Sequence, residues 1–160
     1  MSTHSMPRRV WLVRHAKAEP GSVGQADRDR ALTSRGRLQC RQLGRWLGQR
    51  IGADAALVRV SPARRTRETA RLALANLALD ADAIGLDERI WEASADDLLA
   101  LIGESSGALV LIGHNPGLEQ VQFALTGTLL PLPPGGAFEL ELSGDQAELG
   151  ARFQPSSEPT

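Results

Sequence analysis

Apolar residues fall along this chain in two patterns: short continuous runs, and stretches that repeat every three or four positions. Val10-Trp11-Leu12-Val13 is the first run, bracketed by arginines. A run of that length without alternation predicts a strand covered on both faces, here Arg8 to Arg14. AALVRVS (Ala55 to Ser61) and ALVLIG (Ala108 to Gly113) predict two more, and Ala83 to Leu86 a short third. AFELEL (Ala137 to Leu142) alternates as a half-exposed strand does, and Ala151 to Phe153 suits a last strand.

Between these runs the period lengthens. Thr33 is placed to cap a helix from Ser34 to about Ile51, with Cys40, Leu43, Leu47 and Ile51 as its buried stripe. Arg37, Arg41, Arg45 and Arg50 fall elsewhere on that helix, as a solvated face would, and Gly52 ends it. Pro62 opens a turn into a second helix, Arg64 to Leu77, with Ala70, Ala73, Leu74 and Leu77 inward. Ser94 caps a third, which carries Asp96 and Asp97 at its positive end and Leu98, Leu99 and Ile102 as apolar positions. A fourth follows Asn115-Pro116-Gly117 and runs to about Leu125; residues 131–136 form a Pro- and Gly-rich loop. This alternation predicts one three-layer α/β/α domain over residues 8–154 with a mostly parallel central sheet, and flexible ends at 1–7 and 155–160. His4 falls in the first of these ends, as solvated tail.

Composition narrows the function classes. No run of eighteen apolar residues is present, and the first ten residues lack the apolar core of a signal peptide. The single cysteine, Cys40, excludes an internal disulfide and sits on a buried stripe, so a reducing, cytoplasmic setting is expected. Three histidines and one cysteine leave no clustered zinc site. Net charge is −1, but residues 1–75 carry 16 Lys+Arg against 5 Asp+Glu, and residues 76–160 carry 2 against 14. A basic face for nucleic acid would want interleaved aromatics; with three Trp, three Phe and no Tyr, two halves that compensate each other fit better. An acidic protein partner remains compatible with the basic half.

Candidate chemistry sits where strands stop. Arg14-His15, then Ser61 with the arginines beyond it, then His114 each follow a predicted strand. Carboxyl ends of parallel strands share one edge of a sheet, so these groups can meet although a hundred residues separate them. Two arginines and two histidines around one phosphoryl group make an electrostatic cradle, and helix N-termini on that edge add donors. Ser61 lacks a visible histidine–carboxylate relay and is read as a capping hydroxyl.

RHA at Arg14–Ala16, SPARRTRET at Ser61–Thr69 and GHNPG at Gly113–Gly117, in that order, resemble the histidine phosphatase (phosphoglycerate mutase-like) superfamily. The small size, RHAKAE, RALTSRG and GHNPGLE look most like its SixA-type phosphohistidine phosphatases, and the likeness runs from Val10 to about Leu142. The resemblance implies that fold without a large lid insertion, and a two-step reaction. His15 would be the nucleophile, with Arg14, Arg65 and His114 stabilising the phosphoryl oxygens. Ala16 stands where the family usually has the glycine of RHG. Glu88 resembles the family's proton donor, with Glu92 as the alternative, while Arg30 and Asn115 are candidate substrate contacts. No metal or other cofactor is called for. A shallow site suits phosphohistidine on a protein, possibly a phosphotransfer domain, acted on by a monomer; a small phosphoester, or a non-catalytic phosphate-binding module, are the alternatives.

Overall fold

The computed structural model describes residues 7–52 and 56–157. Its elements are β1 (Arg8–Arg14), α1 (Ser34–Ile51), β2 (Leu57–Val60), α2 (Arg64–Ala73), β3 (Ile84–Leu86), α3 (Ala95–Gly103), β4 (Leu109–Gly113), α4 (Gly117–Thr126), β5 (Ala137–Ser143) and β6 (Gln146–Phe153). They form an α/β fold around one six-stranded sheet, ordered β3-β2-β4-β1-β5-β6. The first four strands in chain order are parallel, and β5 and β6 run antiparallel at one side.

The continuous apolar runs belong to the two central strands, and their alternate residues feed opposite layers. Val10, Leu12, Leu109 and Leu111 pack with Leu98, Leu101 and Ile102 of α3 and Leu118, Val121 and Leu125 of α4. Trp11, Val13, Val110 and Ile112 pack with Leu43, Leu47 and Ile51 of α1 and Ala70 and Ala73 of α2. Both faces are therefore core, which is why neither strand alternates in polarity.

Local signals set the helix starts. Thr33 accepts from the Gly36 N–H at 2.9 Å, and Ser94 and Asp97 form a reciprocal capping box. Helix α2 stops at Ala73, short of the expected Leu77: the Leu74 N–H closes on Ala70, and the Leu77 N–H turns back to Leu74. Its apolar pattern continues because Leu74 and Leu77 still cover the core after the helix has ended.

Strand β5 departs from the half-exposed expectation. It lies between β1 and β6, and its residues are buried from Ala137 through Leu140. Glu139 is buried toward α1, accepting from Trp11 Nε1 at 3.0 Å and from Arg50 at 2.8 and 2.7 Å. Arg50, expected on a solvated face, thus reaches back to the sheet. The last strand begins at Gln146, earlier than Ala151, and pairs with β5 as a hairpin through Gly144. Beyond it, the Ser156 N–H donates to Gln42 at 2.8 Å and Arg35 to the Ser157 carbonyl at 3.1 Å, so this stretch lies on α1. His4, Ala55 and the outermost parts of both expected flexible ends lie outside the described residues.

Candidate active site

Strand register builds the site. Arg14 pairs with Gly113 across β1 and β4, the His15 N–H donates to the Gly113 carbonyl at 3.1 Å, and the Ser61 N–H to the Ile112 carbonyl at 3.0 Å. The residues that leave β1, β2 and β4 therefore meet at one sheet edge, and the His15 and His114 rings lie 5.3 Å apart.

His15 is held by its own backbone. Nδ1 lies 2.8 Å from the Ala16 carbonyl, which can only accept, so the ring proton is on Nδ1 and the Nε2 lone pair is free. Burial, then the charges of Arg65, Arg14 and Arg30, push its pKa down to about 4, against the raising effect of the Ala16 carbonyl. The imidazole is thus neutral at physiological pH. Ala16, in place of glycine, is fully buried, and its N–H reaches Thr69 Oγ1 at 3.0 Å. Its backbone needs no positive φ, so alanine fits.

His114 Nε2 lies 2.7 Å from Ser61 Oγ. Ser61 is completely buried, and among the described residues its hydroxyl has no other acceptor. The hydroxyl therefore donates to Nε2, and the ring proton of His114 resides on Nδ1. Ser61 is more than the cap expected of it: its contact with the Ala63 N–H is long, at 3.5 Å. Burial, His15, Arg65 and Arg14 push His114 down to about 3, with Asp27 opposing.

Arg14 donates to the Leu132 carbonyl at 2.9 Å. Arg65 donates to the Asp27 carbonyl at 2.8 Å and to Asp27 Oδ2 at 3.1 Å. Its guanidinium carbon also stands 5.4 Å from the Trp91 ring centroid, and Trp91 meets His114 edge-on at 5.3 Å. Burial lowers the pKa of both arginines, which nevertheless remain cations. Among the described residues, four buried side-chain polar atoms lack a partner, and three belong here: Arg14 Nε, Arg65 Nε and His114 Nδ1. Three buried N–H donors unpaired within the protein are costly, and they concentrate at this one sheet edge a demand for an acceptor.

The remaining candidates take other places. Glu88 accepts both bonds of Arg28 at 3.0 and 3.1 Å, and its side chain is 72% exposed. Glu92 is exposed at φ 55°. Neither bonds to Arg14, His15, Arg65 or His114 among the described residues, so their placement lends the proton-donor expectation no support. Asn115 spends its side chain internally: Nδ2 donates to Glu119 and to the Leu132 carbonyl, and Oδ1 accepts from the Glu119 N–H. With both amide hydrogens used, it braces the loop whose Leu132 carbonyl holds Arg14. Arg30 lies near the site, bonded to Asp27 Oδ1 at 2.9 Å and to the Glu19 carbonyl at 2.9 Å.

The sequence reading assigns no role to Trp91, Glu119 or Asp27. Position three before Arg30 was the sole local hint for Asp27; nothing local marks Trp91, whose neighbours come from three separate segments. Glu119 accepts the Leu132 N–H at 2.7 Å, which fixes the carbonyl that holds Arg14.

Known proteins show the same arrangement of elements. A protein assigned as the phosphohistidine phosphatase SixA of Agrobacterium tumefaciens is 25% identical and superposes with a TM-score of 0.83, over 94% of this chain and 100% of that one. The protein histidine phosphatase SixA complexed with tungstate is 22% identical, with a TM-score of 0.75 over 92% and 97%. A protein assigned as an α-ribazole-5′-phosphate phosphatase of Escherichia coli is 18% identical, with a TM-score of 0.68 over 89% and 94%. The latter two likenesses bear on the fold alone. No curated protein sequence gives a significant match. The sequence profile of the histidine phosphatase superfamily (branch 1) matches residues 10–101, spanning β1, β2 and the arginines and histidine they deliver, and the chain belongs to that superfamily.

Proposed function

We propose that this phosphatase acts on phosphohistidine carried by a protein, through a phosphohistidine intermediate on His15. The observation that carries the reading is the set of three buried, unpaired donors, on Arg14, Arg65 and His114, beside an imidazole whose Nε2 is free. A phosphoryl group that binds beside His15 and displaces the groups covering these donors gives each an acceptor and presents phosphorus to Nε2. In the first step Nε2 forms a bond to phosphorus while the bond to the leaving group breaks. The two guanidiniums and the His114 Nδ1–H stabilise charge on the three equatorial oxygens. In the second step water cleaves the P–N bond of phospho-His15 and releases phosphate.

Two points favour a protein phosphohistidine over a small phosphoester. Its leaving group is an imidazole with a second ring nitrogen to take the proton, so the site needs no acid aimed at the leaving atom. Glu88, the residue cast for that task, is engaged by Arg28. The likeness to a SixA protein also covers nearly the whole chain.

The test compares hydrolysis of a phosphohistidine protein with that of p-nitrophenyl phosphate in excess chelator, with His15→Ala as control. Turnover of the phosphoprotein that survives chelation and vanishes in the variant is the expected result. Turnover of the small ester alone would overturn the substrate; phosphate binding without any turnover would leave only a binding module.

A further inference from the structure

The site holds one carboxylate that the two-step scheme leaves without a task. Asp27 lies on a short 3₁₀ turn, Asp27–Asp29, in the loop between β1 and α1. Its carboxylate is fixed at two points, Oδ2 to Arg65 at 3.1 Å and Oδ1 to Arg30 at 2.9 Å, and its main-chain carbonyl accepts from Arg65 at 2.8 Å. It rests on the guanidinium assigned to the phosphoryl group. Each oxygen accepts one of these bonds and keeps a second acceptor position, and the side chain is 58% exposed, so water reaches it.

We propose that Asp27 is the general base of the second half-reaction, taking the proton of the water that cleaves phospho-His15. This rests on the phosphohistidine route above. As the water oxygen bonds to phosphorus, the bond from phosphorus to His15 Nε2 breaks and its electron pair returns to Nε2. The water proton passes to a free acceptor position on Asp27 and then to solvent, and inorganic phosphate leaves.

Three arguments point the same way. The route creates a need for a base and for no acid, since a phosphohistidine leaving group supplies its own second nitrogen whereas the attacking water has nowhere to put its proton. Arg65 and Arg30 outweigh the raising effect of burial and hold the Asp27 carboxyl below its usual range, hence ionised when needed. A carboxylate is a weak base, but in a loose, metaphosphate-like transition state the water becomes acidic only late, so a weak, fixed base is sufficient. Asp27 also bonds directly to Arg65 of the site, whereas Glu88 bonds to Arg28 and, among the described residues, to none of Arg14, His15, Arg65 or His114.

Rapid quench with a 32P-labelled phosphohistidine protein separates the two steps. In Asp27→Asn, phospho-His15 is expected to form within about threefold of the wild-type rate and to hydrolyse about 100-fold more slowly, so that it accumulates. Added formate is expected to restore hydrolysis in Asp27→Ala, which a merely structural carboxylate would not allow. Formation and hydrolysis slowed equally in Asp27→Asn, without formate rescue of Asp27→Ala, would overturn the proposal and leave Asp27 as a positioning residue for Arg65. Absence of phospho-His15 from the wild-type enzyme would instead reject the route itself, a result visible before any Asp27 variant is made.

Discussion

At the scale of single residues, the site works by keeping its histidines neutral and aiming each ring with one hydrogen bond. The Ala16 carbonyl fixes the His15 proton on Nδ1, and the Ser61 hydroxyl fixes that of His114. Arg14, His15 and His114 were legible because each follows an apolar run, and the topology of parallel strands brings such positions together; Arg65 was singled out among the arginines beyond Ser61 by the family resemblance alone. Their bonding partners were not legible. The geometry of Ser61 makes a direct prediction. Removing its hydroxyl frees the His114 tautomer and leaves Nε2 unpaired, which costs about 1–3 kcal/mol for a buried group. In Ser61→Ala, kcat/KM is expected to fall about 10- to 100-fold. The 15N shifts of His114, showing Nδ1–H in the wild type, should move toward a tautomer mixture. Unchanged shifts alongside unchanged activity would show that Ser61 is only a cap.

At the scale of elements, the sequence displays helices and strands through period and caps, and conceals where side chains cross between layers. Helix α1 was readable from Thr33 to Gly52, but one of its contacts with the site loop is made by an absent side chain. A Cβ on Gly36 would stand 2.2 Å from the Lys17 carbonyl oxygen, and that carbonyl also accepts the Thr33 N–H at 2.9 Å. Gly→Ala inside a helix ordinarily stabilises by about 1 kcal/mol. Here the clash outweighs that gain, because the atom in the way is backbone tied to the helix cap. Gly36→Ala is expected to destabilise by about 2 kcal/mol or more in urea unfolding and to disturb the loop that carries Asp27 and Arg30. A stabilised variant would show that the loop shifts without cost. Glu139 was misread for a related reason: alternation in AFELEL reports two different faces, and only the three-dimensional neighbour, Arg50 on α1, reveals that the glutamate side is also covered.

At the scale of the whole molecule, alternating strands and helices were enough to give the layers and the parallel part of the sheet. The antiparallel side was less legible, because the turn at Gly144 joins β5 to a strand, β6, that alternates only between exposed and half-buried positions and has no fully buried residue. The assembled fold then sets how stability responds to acid. His15 titrates at about 4 and His114 at about 3 in the folded protein, against about 6.5 for an unfolded histidine. Between the folded and unfolded values the unfolded chain binds more protons, so stability rises with pH there. Stability held by keeping these rings neutral is therefore complete above about pH 6.5 and is lost as pH falls toward the folded values. Paired carboxylates act lower: Arg50 keeps the Glu139 carboxyl below its usual range, so that contribution is lost only as pH falls below about 4. Urea midpoints are accordingly expected to decline from about pH 6.5 and not to wait for the carboxylates. The loss for the two histidines together should be on the order of a few kcal/mol by roughly pH 5. Replacing both by glutamine should flatten that part of the curve while leaving the steeper fall below about pH 4, and a wild-type curve already flat from pH 6.5 to 5 would mean that the rings gain protons without opposing the fold.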